Sequence, residues 1–385
     1  MPVEKNIKLL YWFNFFSDLR LYAPIAIIYF AHVSGSFVLG MSIFAIARVS
    51  SAIFEVPTGI FSDRIGRRKT LIFGAFASVL CVIFYALGSY WFLAIGAVFE
   101  GLSRAFYSGN NDALLHNTLT QTGKVEQYHT FLGKTSSMFQ VALAISAVFG
   151  SVIASISFAI VMWISVLPQI ICVLIGFRII EPSIKREESG NIYAHLKESF
   201  QYFIRNRKIR LLSLATGIGF GVGETSHQFQ AAFFNTLWPL WAIGFARLLS
   251  YLGAMASFWH SGRIIKKFHP IKILMFGNLG TRFMNFVALL YPTMLSPVLM
   301  SSTSLYYGVS RVARTTVLQK EFSEKQRATM GSLSSLLESI VLGIASIGIG
   351  MAADSLGVIK ALLIIQAIML SVNIFYLRLL KLEKF

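Results

Sequence analysis

Apolar residues run through this chain in long blocks, and the polar residues gather in short clusters between them. Twelve blocks read as membrane-crossing helices, each of which needs about 20 mostly apolar residues. Their limits are 7–32, 36–61, 69–88, 90–115, 131–155, 157–180, 209–235, 238–260, 272–292, 297–318, 328–353 and 357–378. A helix satisfies its backbone hydrogen bonds within itself, as hydrocarbon requires. The pattern therefore predicts an all-α integral membrane protein with twelve transmembrane helices. The 385 residues leave no room for a separate soluble domain.

The basic residues divide unevenly among the clusters. Even-numbered connections and both chain ends hold 26 of the 34 lysines and arginines, odd-numbered connections hold one, Lys360, and seven lie inside spans. One missed span early in the chain would scramble this division. Basic loops stay on the cytoplasmic side. Both termini and the long central connection are therefore expected there, with the chain in a plasma (inner) membrane. The reading divides the chain into a six-helix bundle over 1–180, a cytoplasmic central loop over 181–208 and a second six-helix bundle over 209–385. Glu181-Pro182 ends span six. Residues 195–207 read as an amphipathic surface helix, with Leu196, Phe200, Phe203 and Ile204 at helical spacing.

Composition narrows the class. Only 13% of the residues are charged, against 55% apolar, whereas soluble domains carry about 25% charged residues. That excludes an ordinary cytosolic enzyme, a disordered chain and a secreted disulfide scaffold. In a soluble protein the net charge of +17 would suggest nucleic acid. Here it is a topology signal, and no nucleic-acid partner is expected. Cys81 and Cys172 sit in apolar runs and predict neither a disulfide nor a metal site. No cofactor is expected. The first ten residues, with Glu4, Lys5 and Lys8, do not read as a cleaved signal.

One connection carries a motif. Between spans two and three stands Gly59-Ile60-Phe61-Ser62-Asp63-Arg64-Ile65-Gly66-Arg67-Arg68-Lys69. Gly59 lets two helix ends approach closely, and Gly66 permits a tight turn. Asp63 offers a carboxylate to a helix N-terminus or an arginine. The stretch resembles the signature loop of the major facilitator superfamily, G-x-x-x-D-R-x-G-R-[RK]; Gly59, Asp63, Arg64, Gly66, Arg67 and Arg68 match. A shift of 203 residues lays a faded copy beginning at Gly262 onto it, with Lys266 in place of the acid. The resemblance covers essentially the whole chain. It implies two pseudo-symmetric six-helix bundles with the substrate site between them. It also implies that these six residues form a conformational latch on the cytoplasmic face.

An ionisable side chain at bilayer depth is costly and marks a functional hypothesis. Glu55, Asp112, Arg311 and Arg314 lie toward span ends and read as fixed ion pairs or interface residues. Asp18, Arg104, Glu224 and Arg247 fall near the midplane. The resemblance implies that spans one, four, seven and ten line the cavity, which brings Asp18, Glu100, Arg104 and Glu224 onto it. Glu100 and Arg104 are four apart and predict a salt bridge on one helix face. The resemblance implies a part for Arg104 in proton coupling, with a static pair as the alternative. Asn14 and Asp18 share a face of span one; Glu224, His227 and Gln228 share a face of span seven. Asp18 and Glu224 are candidate proton or cation sites. His227 is either a cavity residue or a hydrogen-bonded packing residue. Gly217, Gly219, Gly221 and Gly223 in span seven suggest close packing or a bend.

The function expected is secondary active transport of a small molecule by alternating access, in the form of proton-coupled efflux of an amphipathic compound. The 34 Phe, 14 Tyr and 6 Trp suit such a ligand. Residues 142–151 of span five lack the Gly-Pro signature of proton-driven drug antiporters. Uptake or exchange of an organic anion, sugar or lysolipid therefore stays open, as does a non-transporting receptor with the same fold. No nucleophile, metal constellation or nucleotide loop suggests an enzyme. The expected partners are a small-molecule substrate, protons and the lipid bilayer, and the expected state is a monomer.

Overall fold

The computed structural model describes residues 2–183, 206–321 and 324–382, and among these the chain is helical nearly throughout, with no strand. The amphipathic piece expected over 195–207 lies almost wholly outside the described residues. Span two is Phe37–Ile65, span three Arg67–Ala86, span five Tyr128–Ile156, and span six Phe158–Ile164 with Val166–Arg178. Span eight is Ile243–Lys267, span nine Pro270–Leu290, span eleven Glu324–Leu356 and span twelve Val358–Leu382. Among the described residues eight helices are long and apolar enough to cross a membrane, and they fall in these eight spans.

The four spans left over are one, four, seven and ten, the first and fourth of each half. Three of them are broken, where the sequence predicted continuous runs. Span one is Lys5–Asp18 followed by Ala26–Ser34, with a short 3-10 turn at Ala23–Ile25 between them. Pro24 has no N–H to continue the helical ladder there, and Ala23 N closes the bend by donating to Arg20 O at 3.0 Å. Span four is Tyr90–Tyr107 and Asn110–Gln121, parted at Gly109, which holds φ +67°. Span ten is Ser296–Ser302 and Tyr307–Glu321, with a 3-10 stretch over Thr303–Tyr306. Here the Ser302 and Thr303 hydroxyls donate to Leu299 O and Met300 O at 2.7 and 2.6 Å, competing with the backbone ladder. Span seven, Arg207–Leu237, is unbroken but polar, carrying Glu224, Thr225, Ser226, His227, Gln228 and Gln230.

The chain divides into two compact units, one of Met1–Gly35, Ser42–Glu188 and Pro239–Gly244, the other of Ser36–Met41, Ser189–Trp238 and Phe245–Phe385. In the first unit the N-terminus is tied to the end of span six. Asn6 Nδ2 donates to Ile180 O at 2.7 Å and Asn6 Oδ1 accepts from Ile180 N at 2.9 Å. Glu4 pairs with Lys124, whose hydrogen bond holds the Glu4 carboxyl below the usual carboxylate range.

Each unit contains a buried glutamine that joins three spans. In the first, Gln169 on span six donates from Nε2 to Phe16 O of span one at 3.2 Å and accepts at Oε1 from Ser78 Oγ of span three at 2.7 Å. In the second, Gln366 on span twelve donates from Nε2 to Ser226 Oγ of span seven at 3.4 Å. Its Oε1 accepts from Arg282 Nη1 and Asn285 Nδ2 of span nine at 2.5 and 3.1 Å. The sixth span of each half thus ties the first to the third. Interhelical hydrogen bonds of this kind hold membrane helices together at about 0.6–2 kcal/mol each.

Glycine sets the closest approaches. A Cβ at Gly101 of span four would stand 2.5 Å from Ser50 Cβ and 2.6 Å from Ala47 O of span two. In span seven, a Cβ at Gly217 would stand 2.8 Å from Leu337 of span eleven, and one at Gly221 would stand 2.8 Å from Val341 and Leu342. Of the two readings of that glycine run, the structure shows close packing, since the helix is continuous. Gly59 behaves otherwise. Among the described residues nothing lies within 4 Å of a Cβ there, so they make no close approach at Gly59. We expect Gly101→Val to lower stability by about 1–3 kcal/mol through overpacking, while Gly59→Ala leaves it unchanged or slightly raised. Thermal unfolding of the purified variants checks both.

Candidate functional site

The motif connection is a braced corner. Span two ends at Ile65, and Gly66, at φ +106°, turns the chain directly into span three. The first N–H groups of a helix need acceptors, and Glu181 supplies them. Its Oε1 accepts from Arg67 N at 2.8 Å and its Oε2 from Arg68 N at 2.7 Å. A Cβ at Gly66 would stand 3.0 Å from that carboxylate, so glycine serves both the turn and the clamp. Asp63 Oδ1 meets Arg67 Nη2 at 3.2 Å. Of its two expected partners Asp63 has the arginine, and the helix start belongs to Glu181. Arg67 Nη1 donates to Ser62 Oγ at 3.1 Å, and Arg68 Nη2 donates to Phe177 O at 2.8 Å. Ser62 Oγ donates to Asn110 Oδ1 at 3.0 Å, and Asn110 Nδ2 donates to Arg67 O at 2.9 Å. Arg64 is exposed. Four of the six motif residues, Asp63, Gly66, Arg67 and Arg68, thus act through one corner that also draws in spans four and six.

Deeper in the same unit lies a charged network. Glu100 Oε1 receives Arg104 Nη2 at 2.7 Å and Arg104 Nε at 3.1 Å, the pairing their spacing predicts. The same oxygen receives Arg20 Nη1 from span one at 3.2 Å. Glu100 Oε2 accepts from Tyr85 OH at 2.8 Å. Arg20 continues from Nη2 to Ser78 Oγ at 3.4 Å, and so to the Gln169 node. The break in span one makes this possible, because it carries Arg20 out of the helical register. Glu100 is only 12% exposed, whereas the Arg104 side chain is 47% exposed and turns part of its guanidinium outward. Asp18 stands two residues from Arg20, yet among the described residues its carboxylate accepts only from Ser17 Oγ, at 3.3 Å.

The second unit gathers different chemistry. Arg247 of span eight is buried. It donates from Nη2 to His227 O at 2.7 Å and lays Nη1 3.0–3.1 Å from the His227 ring nitrogens. Its guanidinium also faces the Phe234 ring at 5.9 Å. His227 is thus a hydrogen-bonded partner of Arg247. Among the described residues Glu224 accepts only from Gln228 Nε2, at 3.3 Å. Farther along, Arg314 pairs with Glu338 and faces the Phe220 ring at 5.4 Å, joining spans ten, eleven and seven. Arg311 donates to Tyr307 OH at 2.8 Å. Asp112 is exposed on the helix after the span-four break.

Sequence reasoning singled out Glu100 and Arg104 but gave Arg20 no role, and it missed Tyr85, Glu181 and the two glutamines. The missed signals were weak but present. Arg20 is an arginine inside an apolar block, and Gln169 and Gln366 are single amides inside others. None points to its partner, which sits 80 residues away for Arg20 and Glu100. Among the described residues no three His, Cys, Asp or Glu side chains gather to hold a metal.

Comparison with known proteins agrees with this architecture. Residues 9–346 match the family model described as Major Facilitator Superfamily. An uncharacterized MFS-type transporter, YxaM of Bacillus subtilis, is 22% identical over 378 residues, covering 89% of this chain and 90% of its own length. An uncharacterized transporter of Buchnera aphidicola subsp. Schizaphis graminum is 30% identical over 188 residues, 48% of this chain. The match spans under half of the Buchnera relatives' own length, 46% in one and 43% in another. Among solved structures, the nucleoside transporter NupG superposes with a TM-score of 0.81 at 12% identity, covering 99% of this chain and all of that one. A bacterial homologue of the human lysosomal transporter Spinster superposes with a TM-score of 0.71 at 16% identity, covering 98% and 94%. At these identities the structures speak for the fold alone. A signature corner between the second and third spans and a family match over residues 9–346 place this protein in the major facilitator superfamily, as a multi-pass membrane protein.

Proposed function

We propose that this chain is a proton-coupled secondary transporter that exports a small amphipathic compound by alternating access of two six-span halves, 1–180 and 209–385. It works in a bacterial inner membrane with both termini cytoplasmic. The observation that carries the reading is a contrast among the acids within the spans. Glu100 is saturated by two arginines and a tyrosine. Among the described residues Asp18 and Glu224, on spans one and seven, accept only from a serine and a glutamine. A carboxylate at bilayer depth without a cation in contact is costly as an anion, and a proton is the smallest counter-charge it can take. Protonation of Asp18 changes the field beside Arg20 and Arg104 by one charge, and these arginines hold spans one, three and four in register. That links proton binding to the packing of the first half. Glu224, near Arg247 and His227, has the same position in the second.

Transport of an organic anion is a second reading, favoured by the half-exposed guanidinium of Arg104. It keeps the same scaffold and exchanges the roles, with the arginine holding the substrate.

Flux driven by a pH gradient in liposomes, read with a panel of amphipathic dyes, tests the coupling. Asp18→Asn and Glu224→Gln are each expected to lower gradient-driven flux about tenfold or more, equivalent to about 1.4 kcal/mol, while leaving folding intact. Two variants that match wild type would remove the coupling assignment, and the absence of any flux would favour the receptor. Glu100→Gln leaves two guanidiniums without an acid and is expected to destabilise by about 3–5 kcal/mol, visible as poor recovery from the membrane. For the latch, Asp63→Asn loosens the corner and is expected to shift the balance between inward-open and outward-open states. Equal labelling of cysteine probes on both faces in variant and wild type would count against it.

A further inference from the structure

The second unit buries a guanidinium that no acid meets. Arg282 lies midway along Pro270–Leu290 at 7% exposure. Its Nη1 donates to Gln366 Oε1 at 2.5 Å, an oxygen it shares with Asn285 Nδ2. Its Nε is buried and has no acceptor. Among the described residues no carboxylate comes within 4.0 Å of it. Gln366 and Asn285, around it, are buried and neutral.

The first unit shows what this arrangement lacks. The Gln169 node, built on the corresponding spans, is also reached by an arginine, Arg20 through Ser78. There Glu100 stands 3.2 Å away and supplies it with a counter-charge, shared with Arg104. The two nodes share their glutamine, their three spans and a guanidinium, and differ in the acid. An arginine cannot escape by releasing its proton. A cation removed from water without a counter-charge costs several kcal/mol, and a neutral amide oxygen supplies a hydrogen bond but no charge.

We propose that the Arg282 node binds a small monovalent inorganic anion, chloride being the one used to test it, between spans seven, nine and twelve. Arg282 supplies the charge and its unmet Nε–H. The Ser226 hydroxyl accepts from Gln366 Nε2 and keeps its own proton to give. The anion does for the second half what Glu100 does for the first, and it makes packing of spans seven, nine and twelve depend on salt composition.

The experiment uses the full-length protein, purified in detergent and exchanged into potassium gluconate, whose anion is too large for the buried node. Potassium chloride then replaces gluconate at constant ionic strength while thermal unfolding is followed. A saturable rise in the midpoint on the order of 3 °C is expected, with bromide acting alike. Arg282→Gln should abolish the response. Gln366→Glu should abolish it too, because the new carboxylate takes the anion's place, and should raise the midpoint in gluconate above that of wild type. Gln366→Glu keeps size and shape, so it decides the matter if Arg282→Gln does not fold. A wild-type midpoint indifferent to chloride overturns the proposal, as does a chloride response that survives Gln366→Glu.

Discussion

A guanidinium or a carboxylate inside a bilayer must bring its own partners, because hydrocarbon offers none. Glu100 shows how much structure that constraint organises. One carboxylate takes Arg104 from its own helix, Arg20 from span one and Tyr85 from span three. Three helices are held at one depth by it, and the chain is bent to allow it. Pro24 breaks span one just beyond Arg20, and Gly109 breaks span four just beyond Arg104. The spans that carry this chemistry are the ones least suited to lipid on every side. Among the described residues the eight helices long and apolar enough to cross a membrane are the other spans.

The two halves repeat this plan with different chemistry. A buried glutamine on the last span of each half joins the first and third, through a backbone carbonyl in one and a serine hydroxyl in the other. An arginine reaches each node, from span one in the first half and span nine in the second. A duplicated scaffold explains the geometry. The residues at its contact points differ, so that the arginine of one node meets Glu100 and that of the other meets an amide.

Much of this was legible before any fold was known. The apolar blocks gave twelve spans, and the corner motif identified the family because its residues are adjacent in sequence. The Glu100–Arg104 pair was legible for the same reason, since four residues on a helix are one turn. Glu181 was not, because it returns from the end of span six to cap span three, 114 residues away from Arg67. The glutamines also escaped the repeat search. A shift of 203 residues aligns the loops, whereas Gln169 and Gln366 lie 197 apart, and a single offset cannot align both.

The sequence by itself determined the twelve spans, the family and the short list of buried charges, because these depend on local composition and on contacts one helical turn apart. Only the tertiary structure decided how those charges are shared. It gave Glu100 to two arginines, left Asp18 and Glu224 with neutral partners, and surrounded Arg282 with amides. Ion pairing at depth depends on which helix faces which, and where each one breaks. Those are properties of packing between distant segments that no local pattern encodes.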